Sequence, residues 1–489
     1  MLRVKSTAKV AGLGLISFVV LWLSTFLRID FAAIANANID QLWQSLGVHA
    51  LSTDLIGSLG VLHTQPPGLN LIYAFDLWVT PESHLALAGM YFIFTAATIW
   101  MIADVLLRFG ISRKWAGAAA LLYSILPATV LYTLWPFTTT ACAFFTTLAV
   151  WGTSILASHR ITGVAVSGLG ALALVLTRAS FTLPFLLIWL GCLAFIVLRK
   201  DKTRKVFASL TLIAAIGISG IALQVHYSIA FGIPTMSSWS GENLAKALTY
   251  SGARTVTPEA IQRVDTDPCA VEMIEAWQAG KLRMWNPAEF DALPACAKLP
   301  TPVLNGVASW DEPLKVGSTS ENFNYSRRLM ISKEWSTVVT AVVRERPSQL
   351  LKMALSSGTG PRESSLGVFL GPAEDYPGVT SIREKLVTAQ PAGFLSLLIA
   401  PAMLFLMCVG LALALFGRAA SLRRNPVFWF IYGIAAYQIF VSVLFEYGEN
   451  MRFQAEIEPV LIIGGFIGLW SASLRRDEEV HVPGPVAKV

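Results

Sequence analysis

Ten mainly apolar stretches, roughly 15 to 25 residues each, punctuate this chain and constrain its fold more than any motif does. They fall at about 10–28, 86–107, 116–134, 137–157, 162–177, 180–198, 206–231, 394–416, 427–446 and 457–474. Each is near the ~20 residues that an α-helix needs to cross the hydrocarbon of a bilayer. The sequence therefore predicts an α-helical integral membrane protein with about ten transmembrane helices. Only 14% of the residues are charged, against about 25% in soluble domains, and 54% are hydrophobic. That excludes a soluble, disordered or collagenous chain, and the five cysteines are too few for a disulfide scaffold.

The formal charge of +6 has its explanation in where the cations lie. One set of connections carries Arg3/Lys5/Lys9, Arg108/Arg113/Lys114, Arg160, Arg199/Lys200/Lys202/Arg204/Lys205, Arg418/Arg423/Arg424 and Arg475/Arg476/Lys488, while the short connections opposite carry almost none. The positive-inside rule then makes both termini cytoplasmic and puts the long connections 29–85 and 232–393 outside. The expected organisation is an N-terminal transmembrane module, 1–231, that includes the outer loop 29–85; an outer loop domain, 232–393; C-terminal transmembrane helices, 394–474; and a cytoplasmic tail, 475–489. The first span also has features of a secretory signal, with Ala35-Asn36-Ala37 as a cleavage form. Val10 to Leu27 is longer than a usual signal core, however, and Arg28 and Asp30 separate it from the small residues. In the large outer loop, Cys269 and Cys296 face an oxidising compartment and suit a disulfide.

Charges on the outer side mark where chemistry can reside. Arg178 stands in a turn between two spans, Arg452 in another, and Arg28 ends the first span. An arginine at membrane depth costs about 2.5–3.5 kcal/mol at a helix centre, so each needs an anion, supplied by an internal carboxylate or by a ligand. Two converging guanidinium groups suit a lipid phosphate, which they bind through paired N–H donors. Asp30 follows the first span directly and is a candidate general base at a cavity rim; as the bland alternative it is a helix cap. Asp40 and Asp54 come further along. His63-Thr64-Gln65-Pro66-Pro67-Gly68 forces an extended approach to the next element, with Gly68 permitting close backbone contact and His63 and Gln65 available as pocket-lining donors.

These residues resemble the polyprenyl-phosphate-dependent glycosyltransferases of the GT-C fold, in particular the bacterial protein O-mannosyltransferase and aminoarabinose-transferase-like group. The resemblance rests on Asp30 after the first helix, the H-x-x-P-P motif at His63, Arg178 in its tight turn, and Glu449-Asn450-Met451-Arg452-Phe453-Gln454-Ala455-Glu456-Ile457-Glu458-Pro459. It covers roughly 10–230 and 394–474 and does not reach 232–393. It implies a GT-C-like fold and inverting transfer of a sugar from a polyprenyl-phosphate donor to an acceptor hydroxyl at the outer face of the cell membrane. Asp30 would be the base, Arg178 and Arg452 would hold the donor phosphate, and His63, Gln65 and Glu449 would line the pocket. The partners would be that donor, a lipid, glycan or protein acceptor, and membrane lipids, with no cofactor and no nucleic acid. Two positions depart from the family: Phe31 follows Asp30 where a second acid is frequent, and Gln65 stands where many relatives carry a cation.

Two other classes share parts of this pattern. An O-antigen polymerase or ligase would keep its arginines and histidines in the large loop and would not need Asp30. A transporter would carry polar residues at midspan and paired broken helices. The six histidines are scattered without an i,i+4 pair, and Asp265-Thr266-Asp267 reads as a turn, so no metal site is expected. Ser356 to Gly378 is polar and rich in Gly and Pro, the composition of a lid or of an ordinary surface loop.

Overall fold

The computed structural model of the chain describes residues 2–156, 158–199, 204–233, 235–250, 257–282, 286–300, 307–349, 352, 390–416, 420–445 and 450–473; the side chains of 390–401 and 442–454 are outside that description. Within these residues the chain is α-helical, with an antiparallel bridge between Leu314 and Glu321 as its extended pairing. It is an α-helical, multi-pass membrane protein.

Helix α1 is Leu2–Phe26. Four short helices fill the first long connection: α2 Phe31–Gln41, α3 Val48–Thr53, α4 Leu55–Gly60 and α5 Gly68–Val79. Then come α6 Leu85–Arg108, α7 Arg113–Ile125, α8 Pro127–Leu134, α9 Thr138–Ile155, α10 Arg160–Thr177, α11 Leu183–Leu198 and α12 Arg204–Phe231. The second loop contributes α13 Trp239–Tyr250, α14 Pro258–Gln262, α15 Pro268–Gln278, α16 Pro287–Asp291, α17 Pro294–Ala297, α18 Ala308–Asp311 and α19 Ser326–Glu345. The chain closes with α20 Gln390–Phe416, α21 Pro426–Phe445 and α22 Asn450–Ser473.

Every one of the ten apolar runs is helical, but two differ in detail from the expected spans. The run 116–134 breaks into α7 and α8, bent by 52°. The cause is Pro127, which pushes Leu126 into an extended conformation, φ −63° and ψ 129°. The final run extends back to Asn450, so Arg452 lies within α22. By length and apolarity, five helices among the described residues can cross a membrane unaided, and the bent α7–α8 pair makes six. At 16 residues α11 is only about 24 Å long. Helix α9 buries Thr138, Thr139, Thr140, Thr146, Thr147 and Thr153 against protein, so its apolarity is low for a different reason.

Most of the apolar core is one cluster drawn from the long helices and the first loop, with Ile233, Met236, Trp310 and Leu329 joining it from the second. A second cluster draws only on 244–343 and buries Trp277, Trp335, Met273 and Val338. Helices α14 to α17 each open on a proline, whose fixed φ suits the first turn. Helices α15 and α19 fall where the sequence predicts helix, at 271–284 and 333–355, although both begin and end earlier. A disulfide joins Cys269 at the start of α15 to Cys296 in α17.

Candidate functional site

The start of α9, the end of α10 and the first turns of α22 meet at Arg178. This arginine is 3% exposed, so its charge has been withdrawn from solvent. Its Nε lies 3.0 Å from Glu456 Oε1, and its NH1 donates to Thr138 Oγ1 at 3.1 Å. Glu456 Oε2 in turn accepts from Gln438 Nε2 of α21 at 3.0 Å. The anion that a buried arginine requires is therefore in part Glu456, 278 residues away. Isolated, either charge would be expensive to bury; paired and hydrogen-bonded, they fix the guanidinium in one orientation. Glu458, one residue past Ile457, is also buried and lines a cavity of about 10 Å³ with Tyr123, Thr129, Tyr132, Thr139 and Thr140. Arg452 precedes Glu456 by four residues, about one helical turn. Its side chain and Glu449 lie outside the described residues, as do Ser356 to Gly378 and the tail 475–489.

The segment 63–68 reaches the same place from the loops. Its backbone is held at three successive residues: Ser238 N donates to His63 O at 2.7 Å, Ser237 Oγ to Thr64 O, and Tyr227 Oη of α12 to Gln65 O at 2.8 Å. Gly68 then packs on the end of α10 so closely that a Cβ there would meet Leu176 O at 2.6 Å and Thr177 Oγ1 at 2.8 Å. Only glycine allows that approach, which sets α5 beside the residue preceding Arg178.

His63 itself is a strut between the loops. Its Nδ1 is 2.6 Å from Ser238 Oγ and its Nε2 3.0 Å from Asn324 O, while its backbone N–H donates to Asn324 Oδ1 at 2.8 Å. The ring is wholly buried against Trp310 and Phe231. Burial pushes its pKa down to about 3, the hydrogen bond to the Asn324 backbone opposing, so the imidazole is neutral at physiological pH. His63 thus fastens the wall between the loops.

The aspartates of the first loop all serve backbone N–H groups. Asp30 is the N-cap of α2, Oδ1 accepting from Ala33 N at 3.0 Å, and is exposed. Asp54 caps α4 through Gly57 N, and Asp40 Oδ1 accepts from Val48 N at 2.9 Å. No direct contact joins Asp30 to the Arg178 group among the described residues. The connection runs through α2, where Asn38 Oδ1 accepts from Trp135 Nε1, three residues before Thr138.

Sequence reasoning missed the residues that lock the loops together. Lys315, 3% exposed, donates to Asp40 O and Leu42 O at 2.8 Å each. Asp76 and His84 form a wholly buried pair at 2.5 Å that also caps α6 at Leu87 N. The partners of these residues are not readable from spacing.

Beside the Arg178 turn opens a groove of about 1080 Å³ between α11 and α21, lined chiefly by apolar side chains. Tyr437 at its upper end donates to Ser180 O at 2.7 Å, so the groove begins two residues from Arg178.

No family model and no curated protein matches the chain. Solved structures that resemble it include two of ArnT. ArnT from Cupriavidus metallidurans in the apo state is 13% identical, covering 92% of this chain and 77% of that one, with a TM-score of 0.27. ArnT from the same organism bound to undecaprenyl phosphate is 12% identical, covering 92% and 78%, with a TM-score of 0.26.

Proposed function

We propose that this protein is a membrane glycosyltransferase of the GT-C type that moves a sugar from a polyprenyl-phosphate donor to an acceptor hydroxyl at the outer membrane face. The observation that carries this reading is the convergence on one turn of a buried arginine, the proline-glycine end of the first loop and the mouth of a lipid-facing apolar groove. A lipid carrier has the same two parts, an anionic phosphate and a long apolar chain. Arg178 meets the phosphate and Arg452, one turn from Glu456, adds a second cation; the chain lies in the groove.

In the transfer, the C1–O bond to the donor phosphate breaks and charge develops on the phosphate oxygens. Fixed cations in a water-poor site stabilise that charge strongly, each such donor being worth about 2.7–4 kcal/mol. The acceptor oxygen attacks C1 from the opposite face and its proton passes to Asp30, leaving polyprenyl phosphate as the second product. Asp30 is anchored by one oxygen at the α2 cap and exposed to solvent, where an acceptor can reach it. The packed loops above the turn cover the phosphate end of the site, and a bound acceptor displaces the water over Asp30.

Purified protein in proteoliposomes, given undecaprenyl-phosphate-linked sugars and envelope lipid extract, tests the reading by release of undecaprenyl phosphate. Wild type should release it and Asp30→Asn should retain donor binding while losing turnover by at least about a hundredfold. Full turnover in Asp30→Asn would remove the base assignment; release that is unaffected by Arg178→Ala would remove the phosphate site.

A further inference from the structure

The lower end of the apolar groove is built differently from its upper end. There the walls are Arg199, Arg423 and Arg424, with Phe195, Pro426 and Trp429 beside them. These arginines belong to the cation-rich connections of the chain, so they lie on the cytoplasmic side by the positive-inside rule. That rule asks only that cations be near the membrane. It does not require them to line a cavity, and these three do.

They are also held in place. The Arg199 guanidinium lies over the Phe195 ring, 4.4 Å from its centroid, which keeps it at the groove edge. Arg423 NH1 donates to Leu415 O at 3.3 Å, and Arg423 O accepts from Trp429 Nε1 at 3.0 Å, tying the short helical turn Ala420–Arg424 to the groove wall. The walls between the two ends are apolar and open to the bilayer: Ile188 is 68% and Phe195 56% exposed. Gly191 and Gly433 line the same groove with nothing within 4 Å of an added Cβ, which leaves room for a chain lying between α11 and α21.

We propose that this end of the groove binds an anionic glycerophospholipid of the inner leaflet, its phosphate held by Arg199, Arg423 and Arg424 and an acyl chain lying along Gly191 and Gly433. Three permanently charged guanidinium groups at the edge of a lipid-filled slot select an anionic headgroup over a zwitterionic one. A polyprenyl phosphate entering from the outer face would put its phosphate at the opposite end, near Tyr437, so the two headgroup sites are distinct although both chains would lie along the same groove.

The test measures thermal unfolding of the detergent-purified full chain with added phosphatidylglycerol, with phosphatidylcholine of the same acyl chains, or with inorganic phosphate. Phosphatidylglycerol should raise the Tm by at least about 3 °C, as preferential binding to the folded state requires, and the other two by less than a third of that. The triple variant Arg199→Gln/Arg423→Gln/Arg424→Gln should lose the shift. Arg113→Gln/Lys114→Gln, which removes cations of the same membrane face outside the groove, should keep it. Gly433→Leu, which fills the slot and leaves the charges, should lose it as well. An equal shift with phosphatidylcholine, a shift with inorganic phosphate alone, retention by the triple variant, or loss in the control variant each overturns the proposal. Should the triple variant not fold, native mass spectrometry of the wild type and Gly433→Leu in an equimolar lipid mixture decides: selective retention of phosphatidylglycerol by wild type alone supports the site, and equal retention by both excludes it.

Discussion

At the scale of single residues, the buried polar side chains are joints between segments far apart in sequence, and two of them give sharp expectations. His63 is neutral in the folded protein down to about pH 3, whereas an unfolded histidine protonates near 6.5. Between those values the unfolded chain binds the extra proton, so this residue's contribution falls as pH drops through 6.5, approaching about 1.4 kcal/mol per pH unit. Glu242 and Glu334 act in the opposite sense: burial raises each to about 8, so their contributions weaken as pH rises from 4.5. The diagnostic is therefore a difference. His63→Gln should be less stable than wild type at pH 7.5, and the gap in Tm should narrow at pH 5; a constant gap would show that His63 titrates normally. Arg178 is the second case. Arg178→Ala strands Glu456 as a buried charge and should cost about 3–5 kcal/mol, whereas Arg178→Met/Glu456→Met should recover most of that. Denaturation midpoints of the two variants read the structural part. Transfer activity reads the rest, and a double variant with normal turnover would leave Arg178 no role beyond the ion pair.

Among the elements, the long helices were legible from sequence because hydrophobic length alone specifies them, and every apolar run became helix. The α7–α8 break had a signal in Leu126-Pro127, which the continuous apolarity of 116–134 overrode. The short helices of the first loop had weaker signals. Asp30 and Asp54 cap α2 and α4, and a capping aspartate looks like a base until the N–H it serves is known. The cysteines were legible because two thiols in one long loop have few alternatives. The partner of Arg178 was not, since four glutamates stood near Arg452 and nothing in spacing sent Glu456 to the other arginine. Helix packing repeats the lesson: α20 crosses α22 backbone to backbone at Gly468, where an added Cβ would run into Leu406 O. Without a hydrophobic force between helices in lipid, such close contact is what holds them. Gly468→Val should force α20 and α22 apart and lower the Tm by many degrees, while Gly89→Val, in α6 with open space around it, should change it by less than about 2 °C. Equal effects would mean that the crossing contributes little.

For the whole molecule, the proposed reaction requires one orientation. The loops that hold segment 63–68 must face the compartment holding donor headgroup and acceptor, and the arginines of the groove's lower end must face the cytoplasm. The two loops are one wall, since Lys315 of the second clasps Asp40 and Leu42 of the first, and Asn324 holds His63, so both lie on the same side. Thr319 is exposed beside this clasp in the second loop, and Lys114 is exposed at the opposite end of the long helices. Cys269 and Cys296 are already bonded, and Cys142 is buried; with the exposed Cys192 and Cys408 replaced by alanine, new cysteines report alone. Thr319→Cys should react with a membrane-impermeant maleimide in intact cells, and Lys114→Cys only after permeabilisation, because the Lys/Arg excess predicts a cytoplasmic position for the second. The reverse pattern would place the Arg178 turn at the inner face. It would then exclude an outer-face transfer while leaving the ion pair, the loop clasp and the groove unchanged as structure.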